Sequence, residues 1–310
     1  MLNSLQPSRY NLALIQEPNI NFRGVSRTNY HFTLVYPTTH SLDPKATQSL
    51  ILVRTSIPSA KWTKIKIHSP DITAIELQTD QRTIRIMNIY NDCRHNKSLE
   101  AIAAYIADPQ NQPTSDRQLS YIWARDFNRH HPIWDKEWNH HLFTNRNQQL
   151  ALKLLQMLSR HKMAMTLLKD IPTLKAHATG NYTCTDNVFC SEDMAENFIT
   201  CGTAPTLHPT KTDHIPILFS FHLDVGNRTF KTELESDGLA GIQENARGRT
   251  RTTPAERFLE SHSKCKEDPL GQMAQQADRG RHMEHTKARR RAPHGRWQSA
   301  YSQWLLQNDT

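Results

Sequence analysis

The stretch WARDFNRHHPIW, residues 123–134, places a carboxylate and an amide two positions apart, directly after a short apolar run. Asp126 and Asn128 fit a turn, because short polar side chains bond the nearby backbone. They also fit a site that hydrolyses a phosphodiester. Such a site needs a divalent cation against the phosphate, a base for the attacking water and a donor that stabilises the charged transition state.

Further polar residues lie at the ends of other apolar runs. They are Glu17, Tyr90, Asp186, Asp213 and His214. Carboxylates suit Mg²⁺, a hard cation that prefers oxygen ligands, and a histidine held by a carboxylate suits the role of donor. Each residue alone also fits an ordinary strand end. It is their joint order along the chain that favours a common site.

Short apolar runs alternate with turn signals up to about residue 225 and predict a mixed α/β domain. Strands are predicted over 12–15, 33–37, 49–55, 64–68, 72–77, 83–90, 121–127, 187–190 and 215–223. We expect the strictly alternating runs 64–68 and 72–77 to be half-buried. Helices are predicted over 98–107, with Ser98 as N-cap, and from 145 to about 168. These elements predict two sheets packed face to face with helices outside.

The amino-acid composition changes in residues 226–310. This segment has 15 Lys and Arg against 11 Asp and Glu, a net charge of about +4. We interpret this segment as a low-complexity, mostly disordered basic tail. AYSQWLL (300–306) is a candidate terminal helix. The basic cluster at 288–292 fits a nuclear address, a phosphate-binding patch or, more simply, a solvated group of charges.

The whole chain of 310 residues carries a formal charge of +8, which suits a polyanionic partner. It has no apolar run long enough to cross a bilayer, and its beginning lacks the features of a secretory signal. The five cysteines include no CxxC pair and are expected to be reduced thiols. We therefore expect an intracellular protein without an obligate protein partner.

Clustered histidines and tryptophans surround the Asp126 motif. The histidines, at positions 130, 131, 140 and 141, raise the alternative of a zinc site. However, no Cys pair accompanies them, and we expect them on a loop or along a nucleic-acid face. Trp123, Trp134 and Trp138 are expected to pack in the core rather than stack on bases.

Taken in chain order, the motifs resemble those of the endonuclease/exonuclease/phosphatase superfamily. The motifs are QEP (16–18), NIYND (88–92), DFNRHHPIWD (126–135), TDNVF (185–189) and TDHIPI (212–217). They are most similar to the endonuclease domains of non-LTR retrotransposons, particularly fungal ones, and the resemblance covers roughly residues 5–225. It implies a DNase I-like, four-layered α/β sandwich. It also implies a metal-dependent phosphodiester hydrolase acting on DNA, most simply a nicking endonuclease of retrotransposon origin.

The resemblance also implies roles for individual residues. Glu17 would ligate Mg²⁺ or Mn²⁺, and Asp213 would help to hold the metal site. Tyr90 would contact the scissile phosphate.

The remaining motif residues would act on the water and on the transition state. Asp126 would be the general base, and Asn128 would orient the attacking water and a phosphate oxygen. His214 would stabilise the transition state, and Asp186 would set the tautomer of that histidine.

Three departures from the superfamily pattern matter. Arg125 stands where the superfamily usually has a glycine before the aspartate of the DFN motif. We expect the usual first strand and its asparagine to be missing, since few residues precede LALI and Asn3 lies in a poor strand context. A basic tail replaces the reverse transcriptase that often follows. Two alternatives therefore stay open: a degenerate fragment that only binds nucleic acid, or a phosphatase for small phosphoesters or phosphoinositides.

Overall fold

Two six-stranded sheets form the centre of the computed structural model, which describes residues 5–113, 117–209 and 212–223 and the backbone of 302–307. The first sheet has the order β12-β13-β14-β1-β3-β2. Its strands are β1 (Tyr10–Gln16), β2 (Phe32–Val35), β3 (Ser49–Arg54), β12 (Phe198–Thr203), β13 (Ile217–Phe221) and β14 (Ser302–Gln307).

The second sheet has the order β4-β5-β6-β7-β11-β8. Its strands are β4 (Trp62–Ile65), β5 (Ile72–Gln78), β6 (Arg82–Tyr90), β7 (Gln118–Asp126), β8 (Met163–Met165) and β11 (Asp186–Ser191). A small separate ladder joins β9 (Leu174–Lys175) to β10 (Tyr182–Thr183). The strands β8, β9, β10 and β12 were not predicted from the sequence.

Two α-helices, α1 (Lys97–Ala107) and α2 (Asn145–Arg160), lie within the described residues. Short 3₁₀ helices connect the strands; they span Thr38–Ser41, Pro44–Ala46, Ser59–Lys61, Pro109–Asn111, Glu137–Leu142, Glu192–Asn197 and Pro205–Leu207. None of the described helices combines the length and the apolar character that crossing a membrane requires.

The alternation of side chains along β1 explains how the layers are held together. Leu12 and Leu14 join the apolar cluster between the two sheets, whereas Ala13 and Ile15 join a separate cluster on the outer face of the first sheet. All four are buried. Because successive residues of a strand point to opposite faces, an apolar run such as LALI is covered on both sides.

The second sheet is also covered on both faces, which corrects one expectation. Ile75 and Leu77 of β5 face the first sheet, whereas Ile72 and Ala74 face the helical side with Leu99. The run 72–77 was predicted to be half-buried, and it is mostly buried. Its two faces pack into two apolar clusters, one between the sheets and one under the helices, so neither face is solvated. The observed layers confirm the predicted α/β sandwich.

The helix boundaries differ from the prediction at two points. Helix α1 has Asn96 as its N-cap, so the predicted cap at Ser98 is wrong. The buried Ser98 hydroxyl instead donates a hydrogen bond to the Asp71 carboxylate, 3.2 Å away. Helix α2 ends at Arg160, well before residue 168, because Lys162 adopts a left-handed conformation (φ 47°) and the chain turns into β8.

Two of the three tryptophans pack in the core as expected. Trp123 and Trp134 are fully buried among the side chains under the helices. The expectation for Trp138 is wrong, because its side chain is 64% exposed and lies beneath the Lys136 ammonium, 4.2 Å from the ring centroid.

The predicted terminal helix at 300–306 is also wrong, because residues 302–307 form the strand β14. This strand pairs antiparallel with β1, where Leu305 lies opposite Ala13, and parallel with β13, where Trp304 lies opposite Ile217. An extended segment satisfies backbone groups on two strand edges at once, which a helix cannot do. The rest of the predicted basic tail, with Cys265, lies outside the described residues, as does Asn3. The four cysteines within them are reduced, as predicted.

Candidate active site

Three strands of the second sheet bring polar side chains to one edge. Strand β6 runs parallel to β7 and places Tyr90 opposite Asp126. Strand β11 runs antiparallel to β7 and places Asp186 opposite the same Asp126. The ends of β6 and β7 and the start of β11 therefore lie in one row, and the two carboxylates are neighbours although 60 positions separate them in the sequence.

Glu17 reaches this edge from the first sheet. It follows β1 directly and adopts a left-handed φ of 44°, with its backbone N–H donating to the carbonyl of Gln48 at 2.8 Å. Its carboxylate lies close enough to the Tyr90 phenol to raise the pKa of that group. Burial, with the charges of Glu17 and Asp126, raises the pKa of Tyr90 well above its ordinary value. The phenol therefore stays protonated and is a hydrogen-bond donor at neutral pH.

Asp126 is buried and hydrogen-bonded to its own loop. One carboxylate oxygen accepts the backbone N–H of Asn128 at 3.0 Å, and the other accepts the Asn128 side-chain amide at 2.8 Å. Asn128 holds this position in a left-handed conformation (φ 48°), which asparagine tolerates better than most residues. Burial and the nearby charge of Asp186 raise the pKa of Asp126 to about 7, close to the value that suits a general base at neutral pH.

His214 lies against both aspartates. Its Nδ1 is 2.9 Å from the Asp186 carboxylate, and its Nε2 is 3.9 Å from Asp126 and 3.9 Å from Asp213. Burial alone would lower the pKa of the imidazole, but the charge and hydrogen bond of Asp186, followed by the charges of Asp126 and Asp213, raise it to about 10. The ring is thus protonated at neutral pH, and Nε2–H can donate to an anion.

Hydrogen bonds from residues 173–175 hold Asp186 and the Asp213–His214 segment in place. The backbone N–H of Asp186 donates to the Thr173 hydroxyl at 3.0 Å. The Thr173 carbonyl accepts the N–H of Ile215, and Lys175 donates its N–H to the carbonyl of Asp213. Strand β9 and the preceding Thr173 therefore position both Asp186 and the Asp213–His214 pair. No sequence motif indicated this positioning role.

Arg125 is a further charged residue at this edge. It is fully buried and adopts a φ of 122°, a backbone conformation that is ordinarily restricted to glycine. Burial lowers the pKa of its guanidinium to about 9 against the attraction of Asp186, Asp126 and Glu17. The position that the superfamily pattern assigns to glycine thus has a glycine-like backbone, yet it also brings a cation into an acidic cluster.

The structure brings all the predicted site residues to one edge. The charge of Glu17 acts on Tyr90, Asn128 is hydrogen-bonded to Asp126, and His214 is hydrogen-bonded to Asp186 and approaches Asp213. The ligand atoms of Asp126, Asp186 and His214 lie within 4.8 Å of one another, the sole such group of three among the described residues. No group of this kind includes the clustered histidines at 130–141, so the zinc alternative gains no support in that part of the chain.

Sequence reasoning assigned no role to several buried amides that tie the site together. Asn88 donates to the carbonyls of Ile15 and Leu50, both at 2.9 Å, and so links the second sheet to the first. Asn91 donates to the Phe127 carbonyl at 2.9 Å. An amide within the otherwise apolar run 83–90 was the available signal for Asn88.

The donor set fits a hard divalent cation. It contains four carboxylates and one imidazole, and oxygen-rich sets of this kind suit Mg²⁺ or Mn²⁺. Asp186 Oδ1 is buried and accepts no hydrogen bond from the described residues, and the same holds for Gln16 Oε1. Buried acceptors without donors are costly unless a cation or water satisfies them.

Comparison with known proteins agrees with this geometry. Residues 84–218 match the family model described as Endonuclease-reverse transcriptase. No curated protein matches the chain.

Two of the solved structures that resemble this chain are nucleases. The AP endonuclease LMAP from Leishmania major is 10% identical at a TM-score of 0.50, over 66% of this chain and 76% of that one. The endonuclease domain of TRAS1, a telomere-specific non-LTR retrotransposon, is 20% identical at a TM-score of 0.48, over 66% and 83%. At such identities the likeness concerns the fold.

Proposed function

We propose that this chain, which resembles the endonuclease/exonuclease/phosphatase superfamily and matches the Endonuclease-reverse transcriptase family model over residues 84–218, is a metal-dependent endonuclease of retrotransposon origin that nicks DNA. One observation carries the proposal: two buried aspartates, Asp126 and Asp186, and the half-buried His214 converge from three separate segments into one charged group. The basic charge of the chain supports a polyanionic substrate. The match to the Endonuclease-reverse transcriptase family model supports a nuclease rather than a binding module.

Asp126 is the proposed base. With a pKa of about 7, its carboxylate can take a proton from a water molecule at neutral pH, and Asn128 holds that carboxylate in place. Attack by the water oxygen on phosphorus forms one P–O bond, and the bond to the leaving sugar oxygen breaks. General base catalysis of this kind contributes about 10²- to 10⁴-fold to the rate.

His214 and Tyr90 are the proposed donors to the phosphate. Because Asp186 accepts the hydrogen bond at Nδ1, the protonated ring presents Nε2–H to a non-bridging oxygen whose charge grows in the transition state. The Tyr90 hydroxyl, kept protonated by its raised pKa, donates to a second oxygen. Both groups are half-buried at the edge, where donors act in a less screened environment than in bulk water.

Glu17 and Asp213 are the proposed ligands of Mg²⁺ or Mn²⁺, because both Asp126 oxygens are engaged with Asn128 and Asp186 Oδ2 is engaged with His214. The buried Oδ1 of Asp186, which accepts no hydrogen bond from the described residues, is a further candidate ligand atom. When bound, the cation would neutralise charge on the phosphate. The chain's own contribution is to hold these carboxylates in place: β1 delivers Glu17, and the turn before β13 delivers Asp213.

Supercoiled plasmid tests the proposal. Purified wild-type protein with Mg²⁺ should convert it to the nicked form, and EDTA should stop the reaction. Asp126→Ala should lower the rate at least 100-fold, whereas the surface variant Asp80→Ala, at an exposed position, should cleave like wild type. Equal nicking by wild type and Asp126→Ala would refute the catalytic assignment.

The same preparations decide between the alternatives. Hydrolysis of soluble phosphoesters without plasmid nicking indicates a phosphatase. Salt-sensitive DNA binding without any hydrolysis, unaffected by Asp126→Ala and His214→Ala, indicates a binding protein.

A further inference from the structure

A pocket of about 310 Å³ lies between the outermost strands β2 and β4, apart from the acidic edge. Its lining combines aromatic rings with one ammonium group and contains no Asp or Glu. The aromatic and charged residues of the lining are Tyr36, His40, Trp62 and Lys64. None of them has a part in the hydrolysis proposed above.

The strand directions and registers place this pocket below the active-site edge. Strand β2 is two antiparallel pairings from β1, and β4 is two antiparallel pairings from β6, so all four strands run toward the edge that carries Glu17 and Tyr90. Lys64 of β4 lies opposite Ile75, and Ile75 lies opposite Ile86, four residues before Tyr90. At about 3.3 Å per residue and about 4.8 Å between strands, Lys64 is therefore roughly 13 Å below that edge and roughly 10 Å to the side of Tyr90.

The aromatic part of the pocket is held in place by its surroundings. The rings of Tyr36 and His40 stack with centroids 3.8 Å apart and an interplanar angle of 11°. The Tyr36 hydroxyl accepts the backbone N–H of Ser26 at 2.8 Å, and His40 Nδ1 is hydrogen-bonded to the Thr47 hydroxyl at 2.7 Å. A platform that is already ordered loses little conformational entropy when a ligand binds.

The charges of the pocket favour an aromatic anion. Partial burial, with the neighbouring Lys66, lowers the pKa of the Lys64 ammonium from its ordinary high value. Burial also lowers the pKa of His40, so its ring is neutral at pH 7 and available for stacking. A flat neutral platform beside a lysine matches a nucleobase with its attached phosphate.

We propose that this pocket binds one unstacked nucleotide of the DNA strand that is cleaved, at a distance from the scissile phosphodiester. The base stacks in the Tyr36–His40 and Trp62 lining, and the phosphate contacts Lys64. The assignment rests on the proposed function for the identity of the substrate, but the pocket itself can be tested by binding alone.

The test measures the affinity of the full chain for a fluorescein-labelled single-stranded 12-nucleotide DNA by anisotropy in EDTA, where hydrolysis does not contribute. His40→Ala should weaken binding about 5- to 150-fold, the range expected for one lost base–aromatic contact. Lys64→Glu should weaken binding and lower the slope of log K against log salt by about one.

Matched variants outside the pocket serve as controls. Lys61→Glu reverses the same charge next to β4, and His68→Ala removes an exposed imidazole beyond the end of that strand. Both should bind like wild type. A thermal melt of each variant reports whether it is folded. If His40→Ala is unfolded, the binding result for Lys64→Glu, at an exposed position, decides whether the pocket binds DNA.

Several outcomes would refute nucleotide binding in this pocket. They are undetectable binding by wild type, equal affinity of wild type and Lys64→Glu, or equal weakening by Lys61→Glu and Lys64→Glu. Equal competition by inorganic phosphate and a nucleoside monophosphate would also overturn it, because the base would then contribute nothing. Failure of plasmid nicking with these binding effects intact would instead refute the proposed function and leave the pocket standing.

Discussion

At position 125 we expect glycine to give a more stable protein than alanine, the reverse of the usual effect within a strand. Replacing alanine by glycine within a strand ordinarily destabilises a protein, by about 0.5–1 kcal/mol for the lost backbone freedom. At position 125 the φ of 122° adds a strain of about 1–3 kcal/mol for any residue with a Cβ atom. We therefore expect Arg125→Gly to be more stable than Arg125→Ala by roughly 0.5–2 kcal/mol.

The comparison between these two variants isolates the backbone. Both remove the buried guanidinium, so the loss of its attraction to Asp186, Asp126 and Glu17 cancels in the difference. Both also remove almost the same volume from a fully buried site. Ala124, the preceding residue of β7, is also fully buried but has an ordinary φ. The matched variant Ala124→Gly should therefore be destabilised.

Urea unfolding measures the effect. With an m value of about 2 kcal/mol/M, a difference of 1 kcal/mol moves the midpoint by about 0.5 M. Arg125→Gly should have the higher midpoint of the pair in EDTA, where no cation contributes. If Arg125→Ala unfolds at an equal or higher urea concentration, the left-handed strain at this position is refuted.

Three further predictions concern the charged group and the sheet. Because the pKa of Asp126 is raised from 3.8 to about 7, the wild-type protein loses stability as pH rises from 4 to 7. Asp126→Asn should therefore gain about 2–4 kcal/mol over wild type at pH 8 while losing activity, and denaturant melts showing no growth of that gain with pH would contradict the pKa shift. Asp186→Asn should lower the pKa of His214 by roughly two units in an NMR titration, and an unchanged titration would exclude the pairing. Leu305→Pro removes a backbone donor inside the first sheet and should cost about 3 kcal/mol or more, whereas Leu305→Val should not; equal urea midpoints for the two would argue against β14.

Local patterns in the sequence were sufficient to predict most strands and the polar residues at their ends. The runs at 12–15 and 83–90 are apolar because both faces of their strands are covered, and a polar residue that follows such a run must emerge at a sheet edge. The order of the motifs supported the superfamily and the sandwich fold before any contact was known. Helix ends were less certain, because a left-handed residue such as Lys162 leaves little trace in the pattern.

Only the tertiary structure decided which of those edges meet. Asp186 approaches Asp126 and His214 through pairings between segments distant in sequence, and the resulting burial and charge set their pKa values. The strand at 302–307 depends on two neighbours that the sequence does not identify, so its own composition suggested a helix. The chain itself specifies which residues can do chemistry, because side-chain type and period are local properties. Proximity, burial and protonation are non-local, because they depend on which strands become neighbours.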